Sequence, residues 1–134
     1  MSDDLMVPAS ATVVLAALIR ERLPTEYSDV RVCTKIPNPR PAHIVRVTRR
    51  PGGGMAASGH TDQVFALLEC WADTEDDAED LANLVRAVMK SARSRTVHGT
   101  FIRSWKEDSG PYPWPDESGQ ERFQFTGELL LKIS

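Results

Sequence analysis

Between residues 64 and 92 the spacing of apolar positions changes period, and the change marks one strand feeding one helix. Val64, Phe65, Ala66, Leu67, Leu68, Cys70, Trp71 and Ala72 make a nearly continuous apolar run, the pattern of an inner strand. From Ala78 onward, Leu81, Ala82, Val85, Val88, Met89 and Ala92 recur at three and four residues and so share one helix face. Asp73 or Thr74 stands where a side-chain oxygen can accept from the free amides of the first turn. Glu75, Asp76, Asp77, Glu79 and Asp80 follow at the positive end of the helix dipole, and Arg86, Lys90 and Arg93 lie toward its negative end. In the strand, Phe65, Leu67 and Trp71 point opposite to Ala66, Leu68 and Cys70. Both of its faces are therefore apolar, and in a two-layer fold the second must be covered by a folded-over loop or another chain.

Ahead of this unit, Ala11, Val14, Leu15, Leu18 and Ile19 form a shorter helical stripe. Pro8, Ser10 and Thr12 are its start signals and Pro24 ends it. Its polar face (Arg20, Glu21, Arg22) is not strongly basic, which suits covering a sheet better than lying on a membrane. Residues 1–7 read as a loose acidic tail. Val30, Val32 and Ile36 alternate with Arg31, Cys33 and Lys35 as a strand with one buried face. Pro37, Pro39 and Pro41 stop the pairing. A strand resumes over residues 43–50, and Arg49, Arg50, Pro51, Gly52, Gly53 and Gly54 open a loop to about His60. The result is a long hairpin whose tip three glycines leave unrestricted, with the inner strand returning antiparallel.

After the long helix, residues 91–95 read as a turn and 97–105 as a strand. There Phe101, Arg103 and Trp105 face one way, and Ile102 and Ser104 the other. Residues 106–120, rich in proline, glycine and acid, read as a second long loop. Residues 122–132 alternate: Phe123, Phe125, Leu129 and Leu131 face a core with Gly127 in their row, and Arg122, Gln124, Thr126, Glu128 and Lys132 face out. The expected fold is α+β: one domain over residues 1–134, a mainly antiparallel sheet of about five strands, two helices on one face and two long loops.

The chain has 134 residues, enough to bury a core, and a net charge of −3, which indicates no general attraction to nucleic acid or to an acidic membrane. No apolar run approaches the ~20 residues of a membrane span, and the opening Met-Ser-Asp-Asp lacks the basic region of a signal peptide, so use in a cytosol is expected. Two cysteines, Cys33 and Cys70, are too few for a disulfide framework and read as buried thiols. His43, His60 and His98 have neither the spacing nor the cysteine neighbours of a metal site. The glycine run lacks the Lys-Ser/Thr of a phosphate loop, and the acidic run at 73–80 lacks the glycine and spacing of a calcium loop. No enzymatic centre, metal or cofactor is expected. Arg46, Arg49 and Arg50 with Arg40 form a basic arm that no aromatics interleave. It suits acidic protein partners better than single-stranded nucleic acid.

Three pieces recur in an order and spacing that resembles the tail terminator proteins of long-tailed phages (siphoviruses), especially those of actinobacteria. They are the short first helix with its basic, proline-broken strand pair, residues 68–86 (LECWADTEDDAEDLANLVR), and residues 110–116 (GPYPWPD) followed by 120–126 (QERFQFT) and the alternating last strand. The resemblance covers nearly the whole chain and carries no catalytic motif. It implies a structural virion protein, assembled in the host cytoplasm, that forms a six-membered ring on the finished tail tube. Such a ring ends tube polymerisation and meets the head connector, and DNA passes through its lumen without sequence-specific binding. The implied partners are other copies of the chain, the tube protein and the connector protein. A neighbouring head–tail joining protein shares the same size and lack of chemistry, and an unrelated small enzyme would need convergent polar groups in one pocket. A heterologous ring needs two unlike surfaces per subunit. The candidates are Arg46, Arg49, Arg50, Gly52, Gly53 and Gly54 on the hairpin, Asp76, Asp77 and Asp80 on the acidic helix, and Tyr112 and Trp114 in the Pro/Trp loop.

Overall fold

The computed structural model describes residues 5–133; residues 1–4 of the expected acidic tail and Ser134 lie outside the described residues. Among the described residues the elements are α1 (Ala11–Arg22), β1 (Arg31–Cys33), β2 (Ile44–Met55), β3 (Thr61–Ala72), α2 (Glu75–Lys90), β4 (Thr96–Val97), β5 (Thr100–Pro113) and β6 (Glu121–Lys132). The strands form one six-stranded sheet in the order β1-β2-β3-β6-β5-β4. All its pairings are antiparallel except β1 with β2, which run parallel. The expected α+β class therefore stands, with one more strand than expected and one parallel edge.

The expected strand from Val30 to Ile36 shrinks to three residues. Its partner β2 begins only at Ile44, after a proline-held crossover of residues 34–43, so the shared length is short. Both helices start where a hydroxyl caps them. The Ser10 side chain accepts from the Val13 amide, and the Thr74 side chain accepts from the Asp77 amide at 3.1 Å.

One face of the sheet carries both helices. Val45 and Val47 of β2, Val64, Ala66, Leu68, Cys70 and Ala72 of β3, and Phe123, Phe125, Leu129 and Leu131 of β6 are buried there. They pack against the α1 stripe (Val14, Leu15, Leu18, Ile19) and the α2 stripe (Ala78, Leu81, Ala82, Val85, Met89). Gly127 lies in the same row because the Trp105 ring lies across it. A Cβ on Gly127 would stand 2.2 Å from Trp105 Cζ2 and 2.8 Å from the Lys106 carbonyl oxygen. A register shift between Ile102 and Ser104 turns Trp105 to this side, so Ile102 and Trp105 share a face that simple alternation had split.

Both expected long loops are mostly strand. Arg49 through Met55 continues β2. Between the pairs Arg50↔Phe65 and Gly54↔Gln63 three residues oppose one, which is a bulge. Gly52, Gly53 and Gly54 all have positive φ (104°, 72° and 117°), and a Cβ on Gly53 would lie 2.4 Å from the Gln63 carbonyl oxygen. The glycines make the bulge; they do not serve as an unrestricted tip, and the turn proper is confined to residues 56–60. Likewise β5 runs on to Pro113. Proline cannot donate to a neighbouring strand, but beyond β4 no strand among the described residues pairs with the outer edge of β5, so Pro111 and Pro113 cost no pairing there.

Candidate assembly surfaces

The sheet face away from the helices carries Arg46, Thr48 and Arg50 of β2, Phe65, Leu67, Glu69 and Trp71 of β3, Arg122, Gln124, Thr126 and Glu128 of β6, and Tyr112 of β5, because directly opposed residues point the same way. At the end where β3 finishes, Trp71 is 1% exposed. Its ring lies within 5.2–5.4 Å of the guanidinium carbons of Arg40, Arg46 and Arg122, positions at which a cation is attracted by the ring's negative faces. The indole N–H donates to Asp116 Oδ2 at 2.7 Å. Glu69, on the same face, accepts from Arg46 Nε at 2.8 Å, Arg46 Nη2 at 3.0 Å and Arg122 Nη1 at 2.9 Å. Arg122 Nη2 reaches the Pro115 carbonyl at 2.7 Å. Gln120 donates to the carbonyls of Pro41 and Ala42 at 3.0 and 2.9 Å and accepts from Arg40 Nε at 2.9 Å. The loops of residues 34–43 and 114–120 are thereby tied over Trp71. This is the second cover that the doubly apolar strand required, and at Trp71 it comes from the chain's own loops.

Asp116 is held by opposed effects. Burial pushes its carboxyl up, but the Ser118 hydroxyl, the Trp71 N–H and the charges of Arg122 and Arg40 together bring it below its ordinary value of 3.8. A carboxylate depressed in the folded state contributes stability that is present above its unfolded value and lost as pH falls through the folded one. The Asp116→Asn variant should therefore be less stable than the parent near neutrality. That difference should shrink below about pH 4 as the parent's own carboxylate protonates. Urea unfolding at a series of pH values checks this; a difference constant from neutrality to acid would show that Asp116 acts through shape and not charge.

The expected contact residues divide sharply. Arg46 is spent on Glu69. Arg49 pairs with the buried Asp62 (Nη2 to Oδ1 3.2 Å), so neither arginine is free on the arm. Arg50 is exposed and has no ion pair among the described residues. Gly52 and Gly53 are exposed beside it. Asp76, Asp77 and Asp80 are exposed at the start of α2. Asp77 and Asp80 line a cleft of about 270 Å³ with Glu26, Asp29 and His43, whose Nδ1 lies 2.8 Å from Asp29 Oδ2. Arg50 pairs with Phe65, whereas α2 begins beyond Ala72. Seven strand residues separate them, roughly 23 Å along the sheet, so the free basic residue and the acidic cleft lie at opposite ends of one subunit.

Tyr112 and Trp114 meet edge to face, centroids 6.1 Å apart at 80°. Tyr112 is half-buried in the sheet and its hydroxyl accepts from Gln124 Nε2 at 2.8 Å. It also covers Gln124, which faces away from the helices yet is buried, as Thr126 is. Trp114 is 53% exposed although its backbone amide is bound to the Arg122 carbonyl. A fixed backbone carrying an uncovered indole is the usual form of an interface anchor.

Cys70 is fully buried, and burial and then the Glu69 charge push its thiol far up, so it supplies no thiolate. His98, its conceivable base, is exposed in the β4–β5 turn. Among the described residues no three His, Cys, Asp or Glu side chains gather as metal ligands, and no helix is long and apolar enough to cross a membrane.

Residues 7–129 match the family described as phage tail termination protein. The chain belongs to that family. The family is one of structural phage tail proteins, which makes the chain a component of a phage virion. A comparison with curated proteins finds no match. The residues that sequence reasoning passed over are Glu69, Asp116, Gln120 and Arg122. One signal did point to the group: a glutamate inside the apolar run of β3 must find cationic partners if the strand is buried on both faces.

Proposed function

We propose that this tail termination protein acts as a six-membered ring that caps the tail tube of a long-tailed phage. It ends addition of tube subunits and joins the tail to the head connector, with DNA passing through the lumen without base-specific contact. The observation that carries this reading is the separation of unlike charge to opposite ends of a rigid sheet. Arg50 at one end cannot reach the Asp76, Asp77 and Asp80 region at the other within one subunit, but a head-to-tail arrangement brings the two together at every joint. Trp114 is the anchor proposed for the tube or the connector.

Two substitutions test the reading without disturbing the fold, because each side chain is exposed and Arg50 has no ion pair among the described residues. Arg50→Glu should reduce ring formation at low salt while leaving the melting temperature within about 2 °C of the parent, as surface changes usually do. Trp114→Ala should leave the isolated ring intact and abolish capping of purified tubes. Ring formation is read by light scattering and electron microscopy of the purified protein, and capping by tail length in its presence. A protein that stays monomeric at high concentration in both low and high salt, and tubes of unaltered length, would sink the proposal.

A further inference from the structure

From Ala87 to Lys106 the chain carries five lysines and arginines and no aspartate or glutamate, whereas from Asp73 to Asp80 it carries six acids and no base. The fold sets these runs at opposite ends of α2. Lys90 closes the helix. Arg93 and Arg95 follow in the turn, and Arg103 comes in beside them on β5. The Ser94 amide donates to the Ile102 carbonyl and the Ile102 amide to the Arg95 carbonyl, each at 2.8 Å. Lys106 opposes Glu128 on the sheet face away from the helices and is not part of this group. Lys90, Arg93 and Arg103 are exposed and Arg95 is half-buried; none has an ion pair among the described residues. Arg95 Nε donates to the Ser91 carbonyl at 2.8 Å. The helix dipole acts only over the last turn, so it accounts for Lys90 and Arg95 but not for Arg103, which another element supplies.

Within one subunit the two runs cannot satisfy each other. Ile102 is level with Leu131 and Asp62, ten residues before Ala72 on β3, so roughly 33 Å of sheet separates this basic corner from the start of the acidic run. At physiological salt a charge is felt over only about 8 Å. Arg50 stands at the same end of the sheet as the corner, since its partner Phe65 is three residues from Asp62. We infer that the corner formed by the end of α2 and the β4–β5 hairpin, through Lys90, Arg93 and Arg103, docks on the acidic start of α2 in the next copy. A second copy is the occupant because it presents a surface of opposite sign and similar size. Its six acids are all exposed, and none has an ion pair among the described residues. The chain's net charge of −3 works against a nucleic acid in that place. The inference rests on the ring reading above and deepens it: the positive side of each head-to-tail joint is this corner, with Arg50 adding to it.

Charge reversal in the whole chain tests this. Arg93→Glu with Arg103→Glu should melt within about 2 °C of the parent, because both side chains are exposed. Its self-association at low salt, read by sedimentation and light scattering, should be at least about tenfold weaker than the parent's. Asp76→Lys with Asp80→Lys should weaken association similarly, and the chain carrying all four changes should regain it. If the acid-side pair lowers stability by opposing the helix dipole, Asp80→Lys alone, a turn further in, carries the same test. Rings that form as well with Arg93 and Arg103 reversed as in the parent overturn the inference; if Arg50→Glu still breaks them, the ring reading stands. Losses on each side that the combined reversal fails to repair overturn the pairing of these two ends in favour of another protein's acidic surface. Saturable binding of a short DNA duplex that the Arg93 and Arg103 reversal abolishes, with rings unaffected, overturns it in favour of nucleic acid. A parent that stays monomeric at every salt concentration takes the ring reading down with it.

Discussion

Replacing Gly127 with alanine is expected to lower stability by about 2–3 kcal/mol, the cost of forcing a methyl into a packed core. For a chain of this length that is roughly a 10 °C fall in melting temperature. The added Cβ would lie 2.2 and 2.3 Å from two carbons of the Trp105 ring and 2.8 Å from the Lys106 carbonyl oxygen. The ring cannot simply swing aside. It is held over β6 by the register shift in β5 and stands beside α2, where Arg86 and Glu107 fix the helix to the strand. A methyl at Gly110 meets the ends of two flexible side chains, Arg86 Nη2 at 3.3 Å and Glu107 Oε2 at 3.8 Å, so Gly110→Ala is the control and should cost under about 1 kcal/mol. Adding Trp105→Leu to Gly127→Ala should restore part of the loss and make the pair non-additive, because one clash is removed and the carbonyl contact remains. Urea and thermal unfolding of Gly127→Ala, Gly110→Ala, Trp105→Leu and the Trp105→Leu/Gly127→Ala pair measure this. A fall of less than 2 °C for Gly127→Ala would mean that the ring is not held where the sheet places it.

The period change at residues 64–92 was legible because it is local. Each helix or strand position reports its own face, and α2 even carries its cap and charge gradient in sequence. The proline stretch at 111–115 misled because proline is read as breaking a strand, whereas at an open edge it breaks nothing. The glycine run misled in the same way, since freedom of φ can serve a bulge as well as a flexible tip. The charges were legible and their partners were not. Arg46 and Arg49 look like a free basic arm until register is known. Only then does Glu69 fall directly opposite Arg46, and Asp62 come within reach of Arg49. Arg50 survives as a candidate contact because no carboxylate among the described residues pairs with it. The cover over Trp71 draws on residues 40, 46, 69, 116, 120 and 122, which no local pattern links.

Removing the carboxylate of Glu69 should cost about 3 kcal/mol, near the low end of what breaking a buried pair costs, because Arg46 is still 31% exposed and partly rehydrated. Glu69 itself is 3% exposed and accepts three hydrogen bonds from two guanidiniums. In Glu69→Ala both cations lose that partner, and Arg122, 12% exposed, has little water to turn to. Glu69→Gln keeps one acceptor oxygen and should lose about half as much. Replacing all three with apolar residues of similar volume (Arg46→Met, Glu69→Leu, Arg122→Met) should recover much of the stability, since no charge then stays buried alone. Function separates the two repairs. Arg122 also holds the carbonyls of Trp114 and Pro115, so it fixes the backbone that presents the exposed indole. The apolar triple variant should unfold at nearly the parent's urea midpoint, yet show faster hydrogen exchange over residues 114–120 and weaker tube capping. A triple variant that caps tubes as well as the parent would show that the loop needs only burial of Trp71, and that its arginines contribute stability alone.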